Sequence, residues 1–257
     1  MVWFSIDLPL MERPEMKFCL SSILAVTALT GSAIAGIPVV QISVAGNSGG
    51  KAIAAPVGSP GGDPFQYSYN SSLVGTGFYS DFTLTATDTT SSDRAIFGGL
   101  ITVINASASL QTFTIDLSAS TFAHGSSSLT GGSVSGVLTG NSGGGLFASA
   151  KGASIWTAYL RTGAVNNNIA SLLNAPLQVT SGADNVASIP GDAFAQPIPT
   201  QPAMAMGDAM GIRLLFQLGA GDRVDLTTAF VLEAVPAPGA LAAFALVGLS
   251  QRRRRRD

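Results

Sequence analysis

Residues 210–235 read MGIRLLFQLGAGDRVDLTTAFVLEAV, and the pattern in this stretch sets the fold class. Ile212, Leu214, Phe216 and Leu218 alternate with Arg213, Leu215 and Gln217. After an interruption, Val224, Leu226, Thr228, Phe230 and Leu232 alternate in the same way. A period of two places one face of each segment in a core and the other in solvent. Strands are therefore predicted at about 211–218 and 223–233. The segment Gly219-Ala220-Gly221-Asp222 between them carries turn residues, so the expectation is a β-hairpin. Arg213 and Arg223 are placed to pair across strands with Asp225 or Glu233.

The same period extends toward the N-terminus. In DFTLTATD (81–88), Phe82, Leu84 and Ala86 face one way and Thr83, Thr85 and Thr87 the other. In QTFTIDLSA (111–119), Phe113, Ile115 and Leu117 alternate with Thr112, Thr114 and Asp116. Further strands are expected at VVQISVA (39–45), FQYSY (65–69), IFGGLITVIN (96–105), SVSGVLTG (133–140), GLFASA (145–150) and ASIWTAYL (153–160). Many short strands broken by Gly, Ser, Asn and Asp indicate an all-β fold, an antiparallel β-sandwich of jelly-roll-like form. Only NNNIASLLNA (166–175) reads as a short helix. AQPIPTQPAMAMGD (195–208), with three prolines, reads as a loop or edge segment.

Composition agrees with a folded, exported body. Hydrophobic residues make up 46% of the 257 and charged residues only 11%, which excludes disorder driven by low hydrophobicity and high charge. Between residues 36 and 235 stand the cations Lys51, Arg94, Lys151, Arg161, Arg213 and Arg223. Against them are Asp63, Asp81, Asp88, Asp93, Asp116, Asp184, Asp192, Asp208, Asp222, Asp225 and Glu233. An acidic body with scattered cations gives no electrostatic footprint for nucleic acid. The single cysteine, Cys19, lies ahead of this body, so cysteine catalysis and cysteine metal sites are not expected in it.

The two ends read differently. Met16 is the expected start, followed by Lys17 and the apolar run FCLSSILAVTAL; Ala33 and Ala35 supply the small residues that precede a signal peptidase cut before Gly36. Residues 1–35 are thus a signal peptide with an N-terminal signal helix, and 36–234 the β-sandwich domain. Residues 235–257 form a tail of three parts: Val235-Pro236-Ala237-Pro238, the short apolar helix GALAAFALVGLS, and Arg252, Arg253, Arg254, Arg255 and Arg256. Twelve helical residues span about 18 Å against a hydrocarbon core of about 30 Å. Such a transmembrane segment pauses in a membrane without anchoring for good, and the arginines hold its end in the cytoplasm.

This order of motif, apolar helix and arginine cluster resembles the PEP-CTERM sorting signal of bacterial exported proteins. Ala237 stands where that family usually has glutamate. The resemblance, which covers about the last 23 residues, implies processing by an exosortase, an integral-membrane enzyme that cuts near the motif and releases the body to the cell surface or extracellular matrix.

Chemistry is sparse in the body. His124, the only histidine, sits in TFAHGSSS, a Gly/Ser loop without a recognisable partner motif, so no catalytic residue is assigned. Asp88 with Asp93, and Asp222 with Asp225, are paired carboxylates in loops, weak candidates for Ca²⁺ that match no known calcium spacing. Tyr67, Tyr69, Phe78 and Tyr79 cluster early, chiefly as core residues, with a glycan-binding patch as the other use. No cofactor is expected. The functional reading is a non-enzymatic exported surface or matrix protein whose partners are signal peptidase, exosortase and extracellular polysaccharide. The alternatives are an exported carbohydrate-binding module, with Trp156 as a reporter of polysaccharide binding, and an extracellular hydrolase.

Overall fold

A computed structural model describes residues 37–63, 65–87, 94–121 and 127–235. The expected signal peptide, the tail beyond Val235, Asp88, Asp93 and His124 lie outside the described residues, as do both expected flanking helices.

The described chain is built from antiparallel strands: β1 (Val40–Gly46), β2 (Lys51–Ala54), β3 (Ser59–Pro60), β4 (Gln66–Gly75), β5 (Phe78–Thr87), β6 (Arg94–Asn105), β7 (Gln111–Ser120), β8 (Ser128–Thr139), β9 (Gly145–Ser149), β10 (Trp156–Thr162), β11 (Val165–Leu172), β12 (Gln178–Ser181), β13 (Val186–Phe194), β14 (Gln201–Ala203), β15 (Ala209–Leu218) and β16 (Arg223–Ala234). They form two sheets. One runs β11-β10-β15-β7-β1-β2, with β9 on β15 and β12 on β9; the other runs β13-β8-β16-β6-β5-β4-β3, with β14 also on β8. From β6 onward the pairing is nested: β6 with β16, β7 with β15, β8 with β13 and β14, β9 with β12, and β10 with β11.

Strand positions at 210–235 agree with the sequence pattern, but the hairpin does not form. β15 is flanked by β7 on one side and by β10 and β9 on the other, while β16 lies between β6 and β8 in the opposite sheet. Neither strand has an edge left for the other. Gly219–Asp222 is a corner between sheets, closed by partners distant in sequence. The Asn105 side-chain amide donates to the carbonyls of Leu218 (2.9 Å) and Gly219 (2.8 Å). The buried Asp222 carboxylate accepts the N–H groups of Asn141 (3.1 Å) and Leu146 (2.8 Å).

The expected ion pairs change accordingly. Arg213 bonds Asp116 of the neighbouring β7, Arg223 bonds Asp225 two residues along its own strand, and Glu233 faces Arg94 across β16 and β6. The short helix expected at 166–175 is instead strand β11, paired with β10 from Trp156↔Leu172 to Thr162↔Val165. Its local preference loses to the backbone hydrogen bonds that β10 offers at the sheet edge. The proline-rich 195–208 region is an edge segment, with β14 on the rim of β8.

The inward rows meet as one core. From the first sheet come Ile42, Val44, Phe113, Ile115, Leu117, Leu214 and Phe216; from the second come Phe82, Leu84, Phe97, Ile101, Leu226, Phe230 and Leu232. Each such side chain contributes about 1.5–3 kcal/mol by leaving water. Phe113 contacts Phe78 edge-on at 5.9 Å and Phe216 at 5.8 Å, and Phe216 contacts Phe147 at 5.2 Å. Trp156 fills a recess over Gly132, where an added Cβ would stand 2.9 Å from the indole Cη2.

Candidate functional site

The outer faces hold three polar arrangements. On the first sheet, register aligns Tyr159 with Gly211, and Arg213 with Asp116. The phenol of Tyr159 lies flat over Gly211, where any Cβ would meet the ring at 2.2 Å, and donates to Asp116 Oδ1 at 2.8 Å. Arg213 Nε donates to Asp116 Oδ2 at 2.9 Å, and its guanidinium carbon stands 5.8 Å from the Tyr159 ring centre. Burial, and then the negative charge of Asp116, push the Tyr159 hydroxyl well above the usual phenol range. Tyr159 is therefore a hydrogen-bond donor at all physiological pH values, and this cluster locks β7, β10 and β15 together.

On the second sheet, Ser72, Asp81, Thr102 and Asp225 form one row across four strands. Ser72 and Tyr79 both donate to Asp81 Oδ1 at 2.6 Å, and Thr102 donates to Asp225 Oδ1 at 2.5 Å. Arg223 donates to the same Asp225 oxygen from Nε (3.1 Å) and Nη2 (2.8 Å). That hydrogen bond holds the guanidinium above its ordinary pKa. Both carboxylates are thus engaged by neighbours in their own sheet.

The third arrangement is a shallow, open groove at the β8–β13 edge, with a volume of about 460 Å³, lined by Ser133, Val134, Ser135, Gly191, Asp192, Ala193 and Gln196. Its origin is local. Register passes from Ile189↔Gly136 to Asp192↔Val134, so Pro190 and Gly191 together oppose Ser135. A proline without an N–H in a bulged edge strand cannot complete the ladder. Period-two patterning does not mark this place; the Pro190-Gly191 pair inside a strand-like run is the available signal.

Asp222 and Asp225 are not brought together: one carboxylate caps backbone N–H groups at the inner corner, and the other belongs to the outer row of β16. Among the described residues, no group of three or more His, Cys, Asp or Glu could hold a metal ion. Of the aromatic cluster, Phe78 and Tyr69 are buried, with the Tyr69 hydroxyl donating to the Pro38 carbonyl, while Tyr67 and Tyr79 are half-buried. Trp156 is completely buried and donates from Nε1 to Thr228 Oγ1 at 2.6 Å, so a ligand on the surface does not reach it. Among the described residues no helix is long and apolar enough to cross a membrane.

No protein-family model matches the chain, and no curated protein matches it. Among solved structures, there is a loose likeness to the structure of infectious bursal disease virus Gx strain. Identity is 13%, over 77% of this chain and 57% of that one, with a TM-score of 0.23. The T13 IBDV viral particle is similar at 13% identity, over 82% and 61%, with a TM-score of 0.19. The chain spans about three fifths of the length of those two proteins. Scores this low carry no argument about fold or function.

Proposed function

We propose that this chain is an exported, non-enzymatic surface or matrix protein: a β-sandwich released from the membrane through its PEP-CTERM-like tail. The observation that carries the reading is the order of motif, apolar run and arginines in residues 235–257, directly behind the last described strand. β16 runs between β6 and β8 as far as Ala234, and the Val235 N–H donates to the Ser127 carbonyl at 2.9 Å. The next residues are Pro236-Ala237-Pro238, and every described core residue lies between Val40 and Leu232. The outer faces also suit life outside the cell, since Ser and Thr hydroxyls in place of charges cover much of them.

Within the sandwich, the nested pairing supports a jelly roll. The orders β6-β16-β8-β13 and β7-β15-β10-β11 follow when a long antiparallel ribbon, β6 to β10 against β11 to β16, rolls up across two sheets. The strands β1 to β5 extend that roll at one side of each sheet.

Signal peptidase before Gly36, and an exosortase near Val235-Pro236-Ala237-Pro238, are the processing partners in this reading. Intact-mass analysis of protein recovered from the cell surface and the medium tests both cuts together. The expected species starts at Gly36 and ends close to the motif. A free extracellular species that still carries Arg252 to Arg256 would overturn the sorting role.

A further inference from the structure

We propose that the open edge of β4 pairs with the same edge of a second copy of this chain, antiparallel and about a two-fold axis at Ser72. The inference stands independently of how the tail is processed.

The edge follows from the register. Gly75 pairs with Phe78 across the two-residue turn Thr76-Gly77, and pairing then runs without a shift to Gln66↔Thr87. In a hairpin of this kind the residues flanking the turn exchange both backbone hydrogen bonds, and every second pair behind them does the same. Leu73 and Ser71 therefore turn their N–H and C=O groups toward β5, while Asn70, Ser72 and Val74 turn theirs away from it. β3 covers β4 only at Tyr67 and Ser68. The outward N–H and C=O groups of Asn70, Ser72 and Val74 have no partner among the described residues, and all three residues are exposed.

Among the described strands, the other rims are blunted. A register shift beside Tyr159 interrupts β11, Pro190 interrupts β13, and Pro202 and Pro60 sit in the short strands β14 and β3. β2 and β12 are four residues each, and β2 begins with Lys51. Bulges, prolines, lysines and short length are the usual means of keeping an edge unpaired. β4 has none of them: from Phe65 to Ser80 there is neither a charge nor a proline, and its register is unbroken.

Self-complementarity identifies the occupant. With the axis at Ser72, that residue meets Ser72 of the second copy, Asn70 meets the second copy's Val74, and Val74 meets its Asn70. Each of these pairs exchanges two N–H···O=C bonds, so every outward group of both edges is satisfied at once. A two-fold axis also sets any nearby charge against its own sign, which costs stability. This rim avoids that, because the segment 52–62 beside it is uncharged as well. Val74, 73% exposed, leaves water when the edges pair; Ile53 on the adjacent β2 (55%) and Val57 between β2 and β3 (87%) extend the apolar rim.

Sedimentation equilibrium and cross-linking of the full-length chain test the pairing. The wild type should show a reversible monomer–dimer equilibrium. Asn70→Pro removes an outward N–H that the chain does not use internally, and should raise the dimer dissociation constant about tenfold or more with an unchanged circular dichroism spectrum. Ser72→Cys, in a Cys19→Ser background, places the two thiols on Cα atoms about 5.5 Å apart, within reach of a disulfide. Mild oxidation should therefore yield a covalent dimer. Ser135→Cys in the same background, exposed on β8 of the same outer face, should stay monomeric under that oxidation. If Asn70→Pro fails to fold, the two cysteine variants decide. A wild type that is monomeric at every concentration, wild-type association of Asn70→Pro, or cross-linking of Ser135→Cys as readily as Ser72→Cys would each overturn the proposal.

Discussion

Thr228→Val isolates one buried hydrogen bond between the sheets. Thr228 Oγ1 accepts from the Trp156 indole at 2.6 Å and donates to the Ser133 carbonyl at 3.3 Å. Thr228 sits on β16 and is 3% exposed, and Trp156 sits on β10 of the facing sheet and is 0% exposed. Valine has nearly the same shape as threonine, so the substitution opens no cavity, but it leaves an indole N–H without a partner where water does not reach. An orphaned buried donor costs about 1–3 kcal/mol. For a domain of this size, 1 kcal/mol moves Tm by roughly 2–4 °C, which gives a drop of roughly 2–12 °C. The assay is thermal and urea unfolding followed by far-ultraviolet circular dichroism, with Trp156 emission in a Trp3→Phe background as a local probe. In Trp156→Phe the donor itself is gone, so adding Thr228→Val to it should cost less than it does in the wild type. A Thr228→Val midpoint within about 1 °C of wild type, or the same cost in both backgrounds, would refute the claim that this bond matters.

Ser80 is fully buried and its hydroxyl has no hydrogen-bond partner among the described residues; Ser80→Ala should therefore raise the urea midpoint, with a gain of about 1 kcal/mol in stability. Asp222→Ala should lower stability by about 3 kcal/mol, because the Asn141 and Leu146 N–H groups lose their acceptor at the corner; a change below 1 kcal/mol would show that the corner holds without it. Tyr159 has a raised folded-state pKa, so its contribution is fully present below the unfolded value near pH 10 and is lost as pH climbs toward the higher folded value. Urea midpoints between pH 9 and 11.5 should fall less steeply in Tyr159→Phe than in wild type, and equal slopes would contradict this.

The sequence by itself determined most strands between 39 and 160 and the two at 210–235, with their inward faces, but not β11 to β13. Phe82, Leu84 and Ala86, or Phe113, Ile115 and Leu117, alternate with polar residues, and in the structure each set is buried. Period-two patterning is local, because successive side chains on any strand point to opposite sides. The expected signal peptide and sorting tail lie outside the described residues and rest on the order of charge and hydropathy along the chain alone. Only the tertiary structure decided which strands are neighbours. A strand facing its successor across a core shows the same alternation as one lying beside it, so 210–235 read as a hairpin although its halves belong to opposite sheets. The corner at Gly219–Asp222 is set by Asn105, more than a hundred residues away in the chain, and Arg213 found Asp116 because β7 arrives alongside. The groove, too, exists only because the Pro190-Gly191 bulge lies at the open rim of β8; the same pair on a strand enclosed by neighbours would have no solvent-facing space beside it.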